Sequence, residues 1–324
     1  MNKVFVTRPI PQSALGRLRR EATVEVWPGP QPPPYQELRR HVAPCDGLLC
    51  LLTDRVDAEL IASAPRLRVI SQMAVGYDNI DVAAATARGI PVGHTPGVLT
   101  EATADLTWAL ILATARRVLD GVRFIEAGRW TTWDPMGLLG LELHGATLGI
   151  VGLGRIGAAV ARRAAGFGMR LLYTGPREKP AVAAGVGATY ADFETLLRES
   201  DVVSIHCPLT PATRHLFDAR AFALMKPGAI LINTARGGIV DHKALLDAVR
   251  DGHLGGAGLD VTEPEPLPAD HPLMAQERVL ITPHIGSATV RTRTRMAEMA
   301  VANLLAGLRG EPLPHCVNPE VYTG

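Results

Sequence analysis

The sequence predicts an α/β protein built from two doubly wound parallel sheets. Three observations carry that prediction. Short β-rich apolar runs alternate with amphipathic helical stretches along nearly the whole chain. The alternation occurs in two series separated by a long apolar stretch, and a glycine motif, VGLGRIG at Val151 to Gly157, sits where the second series passes from its first strand into a helix. Alternation of this kind implies parallel strands covered by helices on both faces. A chain of 324 residues is long for one domain and comfortable for two, which makes a cleft between domains the expected place for a ligand.

The first series runs from Lys3 to Val92, with strands expected at KVFVT, TVEVW, GLLCLL, LRVIS and IPVG and helices at SALGRLRREA and DVAAATARG. PGPQPPPY, Pro28 to Tyr35, interrupts it as a rigid surface loop. The apolar-periodic stretch Thr100 to Leu119 reads as one helix, N-capped by Thr100 and crossing from one domain to the other. The second series supplies ATLGIV, MRLLYT, DVVSIH, GAILINT, GAGLDV and RVLITP, with helices starting near Arg155, Phe193, Asp218 and Asp241. Six strands with intervening helices complete one nucleotide-binding domain. A final helix, roughly Ser287 to Leu308, has no strand after it and is expected to return to the first domain. The expected division is 1–98 with 289–324, and 99–288.

Composition narrows the function classes. Hydrophobic content of 47% and charged content of 20% describe a globular, well-buried chain. A net charge of +1 with no basic tract gives no reason to expect nucleic acid or an anionic membrane as partner. MNKVFVTRPI reads as a first strand rather than a signal peptide, and runs such as WALILA are too short to span a bilayer, so a cytoplasmic protein is expected. Cys45, Cys50, Cys207 and Cys316 have neither metal spacing nor a CxxC pair and read as reduced thiols; no metal site is expected. Only four of the 33 Lys and Arg residues are lysine, a skew that fits either a thermophile or a GC-rich genome.

The glycine motif has the strand before it and the helix after it that a pyrophosphate site requires. Gly152 permits the turn, Gly154 admits the phosphates to the backbone, and Gly157 lets the helix pack on the strand; Leu153, Arg155 and Ile156 complete the loop. An anion there faces free N–H groups at the positive end of a helix. Such a sheet is a Rossmann dinucleotide-binding domain. Ligands bind beyond the carboxyl ends of strands, and Arg236, Glu265 and His284 each follow a strand at that edge. A guanidinium, a carboxylate and an imidazole there form a complementary catalytic set.

VGLGRIG, NTARGGIVD, GAGLDVTEPEPLP and ITPHIGSAT resemble the D-isomer-specific 2-hydroxyacid dehydrogenases, and the likeness runs from about Leu48 to Pro314. LLTDRVD, RGGIV, EPLPADHPL and NLLAGLRGEPLP are most similar to the glyoxylate/hydroxypyruvate reductase branch. The resemblance implies a flavodoxin-like substrate-binding domain beside the Rossmann domain and a small 2-keto or 2-hydroxy acid as substrate. Arg236 would hold the substrate carboxylate through two parallel hydrogen bonds. His284 would exchange the proton, and Glu265 would pair with it, orient it and raise its pKa. The backbone N–H groups of Val75 and Gly76 would bind the carboxylate, and Leu52 would line the pocket. Thr103 and Asp260 would contact the cofactor, Asp260 at the nicotinamide carboxamide. The same likeness adds Cys207, Pro208, Thr213, Thr234, Ala235 and Gly286 to the cofactor's surroundings, together with His284. His206 reads as structural, and His94 as a loop residue without a role. An aperiodic segment rich in Trp and Gly, Gly128 to Gly140, falls in a dimerisation arm of about 120–145, with Trp133 reaching a neighbouring subunit's site. A homodimer is expected.

The second strand of the Rossmann domain ends in Thr174 and Gly175, where NAD-specific sites carry an acid. Arg177 and Lys179 follow and could bind a 2′-phosphate, although Glu178 lies between them. NADPH is therefore the expected cofactor, with NADH as an alternative. Within the family, a D-lactate-type enzyme or a short 3-phosphoglycerate dehydrogenase stays open. A phosphite dehydrogenase would carry lysine at the Val75 position. A dinucleotide-sensing corepressor is the alternative from another class, and the scarcity of low-complexity tail counts against it.

Overall fold

Five strands of the amino-terminal third form one sheet in the computed structural model, which describes residues 1–323: β1 (Lys3–Val6), β2 (Thr23–Val26), β3 (Gly47–Cys50), β4 (Val69–Gln72) and β5 (Val92–Gly93). All pairs are parallel, in the order β2-β1-β3-β4-β5. That is the flavodoxin-like order, and every strand delivers its carboxyl end to the same edge. GLLC and VISQ are buried at all four positions, as central parallel strands covered on both faces must be. The helix Val290–Arg309 packs on β3, β4 and the helix Gln12–Glu21. Met296, Ala300 and Leu304, spaced by four, lie on its buried stripe. Thr289 caps its start by accepting the Thr292 N–H at 3.1 Å. Met1–Leu99 and the chain from Ala288 thus make one compact unit, and Thr100–Ser287 makes the other.

The second unit contains seven strands: β6 (Thr147–Val151), β7 (Arg170–Thr174), β8 (Ala188–Tyr190), β9 (Val202–Ile205), β10 (Ile230–Asn233), β11 (Gly256–Leu259) and β12 (Val279–Ile281). They are parallel in the order β12-β11-β10-β9-β6-β7-β8. The order reverses between β6 and β9, the switch point at which doubly wound sheets bind ligands. Leu148, Ile150 and Ile232 bury one face of the sheet with Trp108 and Ile111, and Val203, Ile205 and Leu231 bury the other with Phe217 and Phe222.

Three local readings change. The sequence yields six strands here, but β8 makes a seventh; it is three residues long, lies at the edge and is largely exposed, so it lacks the apolar run that reveals a buried strand. The stretch Thr100 to Leu119 is not one helix. It ends at Ala115, Arg117 turns left-handed at φ 53°, and a second helix runs Val118–Glu126. Thr100 lies inside the first helix rather than capping it. The helices Tyr35–Val42, Ala58–Ala62 and Pro180–Ala184 add to the elements expected from the sequence. Asp192, Asp218 and Asp241 cap the helices that follow them through side-chain bonds to backbone N–H groups.

Candidate active site

The carboxyl edge of the seven-stranded sheet gathers the glycine loop, Thr174, Cys207, Thr234 to Arg236, Asp260 and His284, because each ends or follows a strand of one parallel sheet. At the loop, Gly152 has φ 102°, and a Cβ there would meet the Cys207 nitrogen at 2.7 Å. The segment leaving β9 therefore passes directly over Gly152, which only glycine permits. Gly157 sits as closely on β6, its virtual Cβ 2.3 Å from the Gly152 carbonyl oxygen. Gly154 is different: nothing lies within 4 Å of its virtual Cβ, and it N-caps the helix Arg155–Ala164 without any side-chain cap. That helix end keeps open N–H groups and open space, the features that suit a phosphate. The Nζ of Lys179 donates to the Leu153 carbonyl at 3.2 Å, while Arg177 is exposed and Thr174 is buried. The Thr213 hydroxyl is occupied within its own turn, donating to the Pro208 carbonyl at 2.7 Å.

The three strand-end residues converge. His284 Nδ1 lies 2.5 Å from a Glu265 carboxylate oxygen, with the two side chains 24% and 33% exposed. Burial alone would raise the Glu265 pKa. The His284 hydrogen bond and charge, the Thr262 N–H and the charge of Arg236 outweigh burial and hold it below the ordinary carboxylate value. His284 adopts φ 54°, a conformation that few side chains other than Asn, Asp and His accept. Asp260 holds it there. Its backbone carbonyl accepts the His284 N–H at 2.9 Å, and its carboxylate accepts from the Thr282 hydroxyl (2.6 Å), the Ile285 N–H (2.8 Å) and the Gly286 N–H (2.8 Å). Thr103 meets Gly286 at the same place, about 3.4 Å from its virtual Cβ.

The backbone around Arg236 is fixed by Asn233, a residue whose role no sequence pattern marks. Fully buried Asn233 accepts the Ala235 N–H at 3.0 Å and donates to the Arg236 carbonyl at 2.8 Å. It lies inside NTARGGIVD, where only the arginine had an evident chemical reason. Thr234 bonds Thr107 at 3.0 Å. Gly237 allows the Arg236 and Glu265 loops to touch, since its virtual Cβ falls 2.0 Å from the Thr262 carbonyl. His206 is structural: Ser204 bonds its ring at 2.8 Å, and burial pushes its pKa down to about 3. In the other unit, Leu52 follows β3, and Val75 and Gly76 follow β4, at the carboxyl edge of the five-stranded sheet. Trp133 is 80% exposed, in a segment without helix or strand.

The model of the D-isomer specific 2-hydroxyacid dehydrogenase NAD-binding domain matches residues 108–286. The chain belongs to the D-isomer-specific 2-hydroxyacid dehydrogenase family, whose members are NAD(P)-dependent oxidoreductases. Within the family it falls in the glyoxylate reductase branch. It is 52% identical over 323 residues to a glyoxylate reductase of Aeropyrum pernix, covering 98% of this chain and 96% of that one. Among solved structures, a Thermus thermophilus protein superposes with a TM-score of 0.91 at 53% identity, covering 97% of this chain and 99% of that one. An NADPH-dependent glyoxylate/hydroxypyruvate reductase of Sinorhizobium meliloti superposes with a TM-score of 0.85 at 31% identity, covering 98% of each chain.

Proposed function

We propose that the protein reduces glyoxylate, and hydroxypyruvate alongside it, to glycolate and D-glycerate, with NADPH as the preferred hydride donor and NADH as an alternative. The observation that carries this reading is the Arg236, Glu265 and His284 cluster at the carboxyl edge of a sheet whose glycine loop has an open helix end. The nicotinamide cofactor, when bound, supplies the hydride to the carbonyl carbon. The guanidinium of Arg236 pairs with the keto acid's carboxylate and so orients the carbonyl. His284 Nε2 meets no partner among the described residues, so it is the atom that gives its proton to the carbonyl oxygen. Glu265 holds the opposite ring nitrogen and so fixes the orientation of the ring. In the oxidative direction the same Nε2 takes the hydroxyl proton.

The sequences named glyoxylate reductase, at about half identity over the full chain, support the substrate. Support for NADPH comes from the missing acid at Thr174 and Gly175 and from the cations beyond. Lys179 lies against the glycine loop, which leaves exposed Arg177 as the residue for a 2′-phosphate. The NADPH-dependent enzyme of S. meliloti is consistent with that choice. Homodimerisation through the arm accounts for Ile125, Trp130, Trp133 and Met136, all more than half exposed, an apolar surface that a monomer would leave in water. Trp133 would then approach the partner's substrate site. The test is the product: hydroxypyruvate and NADPH should yield glycerate that chiral chromatography identifies as the D-enantiomer. L-glycerate, or none, contradicts the reading.

A further inference from the structure

Two side chains of the first unit grip consecutive carbonyls in the segment leaving β4. The Nδ1–H of His94 donates to the Val75 carbonyl at 3.0 Å. The Nε2 of Gln72, fully buried, donates to the Gly76 carbonyl at 3.3 Å. In a trans peptide the C=O and the following N–H point in opposite directions. Fixing the Val75 carbonyl therefore fixes the direction of the Gly76 N–H. Among the described residues the Val75 and Gly76 N–H groups meet no protein acceptor, and both residues are only partly buried. The Ala74 carbonyl accepts the Thr95 N–H at 2.9 Å, which sets the direction of the Val75 N–H in the same way, and adjacent free N–H groups held in a set direction are what an oxyanion requires. His94 is itself held at both ends: its N–H donates to the His315 carbonyl at 3.1 Å, and its own carbonyl accepts from Asn303 at 2.9 Å. Its ring meets Tyr77 edge-on at 5.7 Å.

We infer that His94 is a positioning residue for the substrate carboxylate, acting through the Val75–Gly76 peptide, with Gln72 holding the following Gly76–Tyr77 peptide in place. The inference rests on the proposed assignment of that peptide to the carboxylate of a 2-keto acid. Two substitutions separate hydrogen bonding from packing. His94→Phe keeps a ring against Tyr77 and removes the donor, whereas His94→Asn keeps an amide donor and removes the ring. Loss of one hydrogen bond of ordinary net strength corresponds to a change of about three- to tenfold. The KM for glyoxylate should rise by about that factor in His94→Phe, with kcat and the KM for NADPH unchanged, and should stay within about twofold of wild type in His94→Asn. An unchanged KM for glyoxylate in His94→Phe, an equal rise in both variants, or a parallel rise in the KM for NADPH overturns the inference. If His94→Phe fails to fold, His94→Leu is read in the same way. A wild type that reduces no 2-keto acid sinks the functional reading and the inference with it; an active wild type beside an unaltered His94→Phe sinks the inference alone.

Discussion

His284 is held at two points, which leave one ring nitrogen without a protein partner among the described residues. Its backbone is pinned by the Asp260 carbonyl and its Nδ1 by Glu265, and Nε2 is the atom that the proposed function assigns to proton transfer. Replacing it with Ala should lower kcat by about 10²- to 10⁴-fold, the usual worth of a positioned general acid, while fluorescence titration shows NADPH binding retained. Arg236→Ala should instead raise the KM for the keto acid and lower kcat together, again with NADPH binding retained. The Glu265 pair adds a pH dependence. Because its folded-state pKa lies below the ordinary glutamate value, its contribution to stability is complete above that ordinary value and is lost as pH falls through the depressed one. Urea unfolding of wild type and Glu265→Gln should therefore differ most at neutral pH and converge in acid. A gap between them that widens on acidification would contradict the pairing. The sequence singled out these three residues because each combines a reactive group with a strand end, and the structure brings them together. Asn233, and the carboxylate of Asp260 as the anchor of the His284 loop, were harder to see. Their work is to bond backbone groups of nearby loops, and no residue pattern shows where a loop's N–H groups will point.

Loops and helix ends show how closely this site is built. Two glycines at the same sheet edge should respond oppositely to one methyl group. Gly237→Ala would drive a Cβ into the Thr262 backbone, an overpacking that typically costs about 1–3 kcal/mol. It should lower the melting temperature and also displace the Arg236 and Glu265 loops, cutting kcat/KM. Gly154→Ala meets nothing in the protein, so its melting temperature should match wild type while its Kd for NADPH rises about tenfold. A stable, fully active Gly237→Ala would overturn the packing argument. The central strands were legible because parallel strands buried on both faces leave unbroken apolar runs. β8 and the short helices were not, since a three-residue edge strand or a helix of five to eight residues carries too few apolar positions to set a period. The break after Ala115 was hidden for a related reason: Arg116 and Arg117 interrupt the apolar spacing no more than a charged face would, and nothing in their chemistry announces that Arg117 turns left-handed.

For the whole molecule, the exposed arm and the cofactor choice are the properties a second copy or a solution assay would reveal. Val122→Glu with Ile125→Glu places two charges on the exposed helix Val118–Glu126; sedimentation should show a dimer for wild type and a monomer for the double variant. Arg177→Ala should weaken NADPH more than NADH, since only the former carries the 2′-phosphate. The two sheets were expected from the sequence because their strands recur in two series, and the order of the first, with its switch between β1 and β3, follows from the same connectivity rules as the second. The most direct test of the account is steady-state oxidation of NADPH, with NADH in parallel, against glyoxylate. The account predicts saturable reduction of glyoxylate with a higher kcat/KM for NADPH than for NADH. Tight binding of NADPH without turnover of glyoxylate, or a clear preference for NADH, would contradict it.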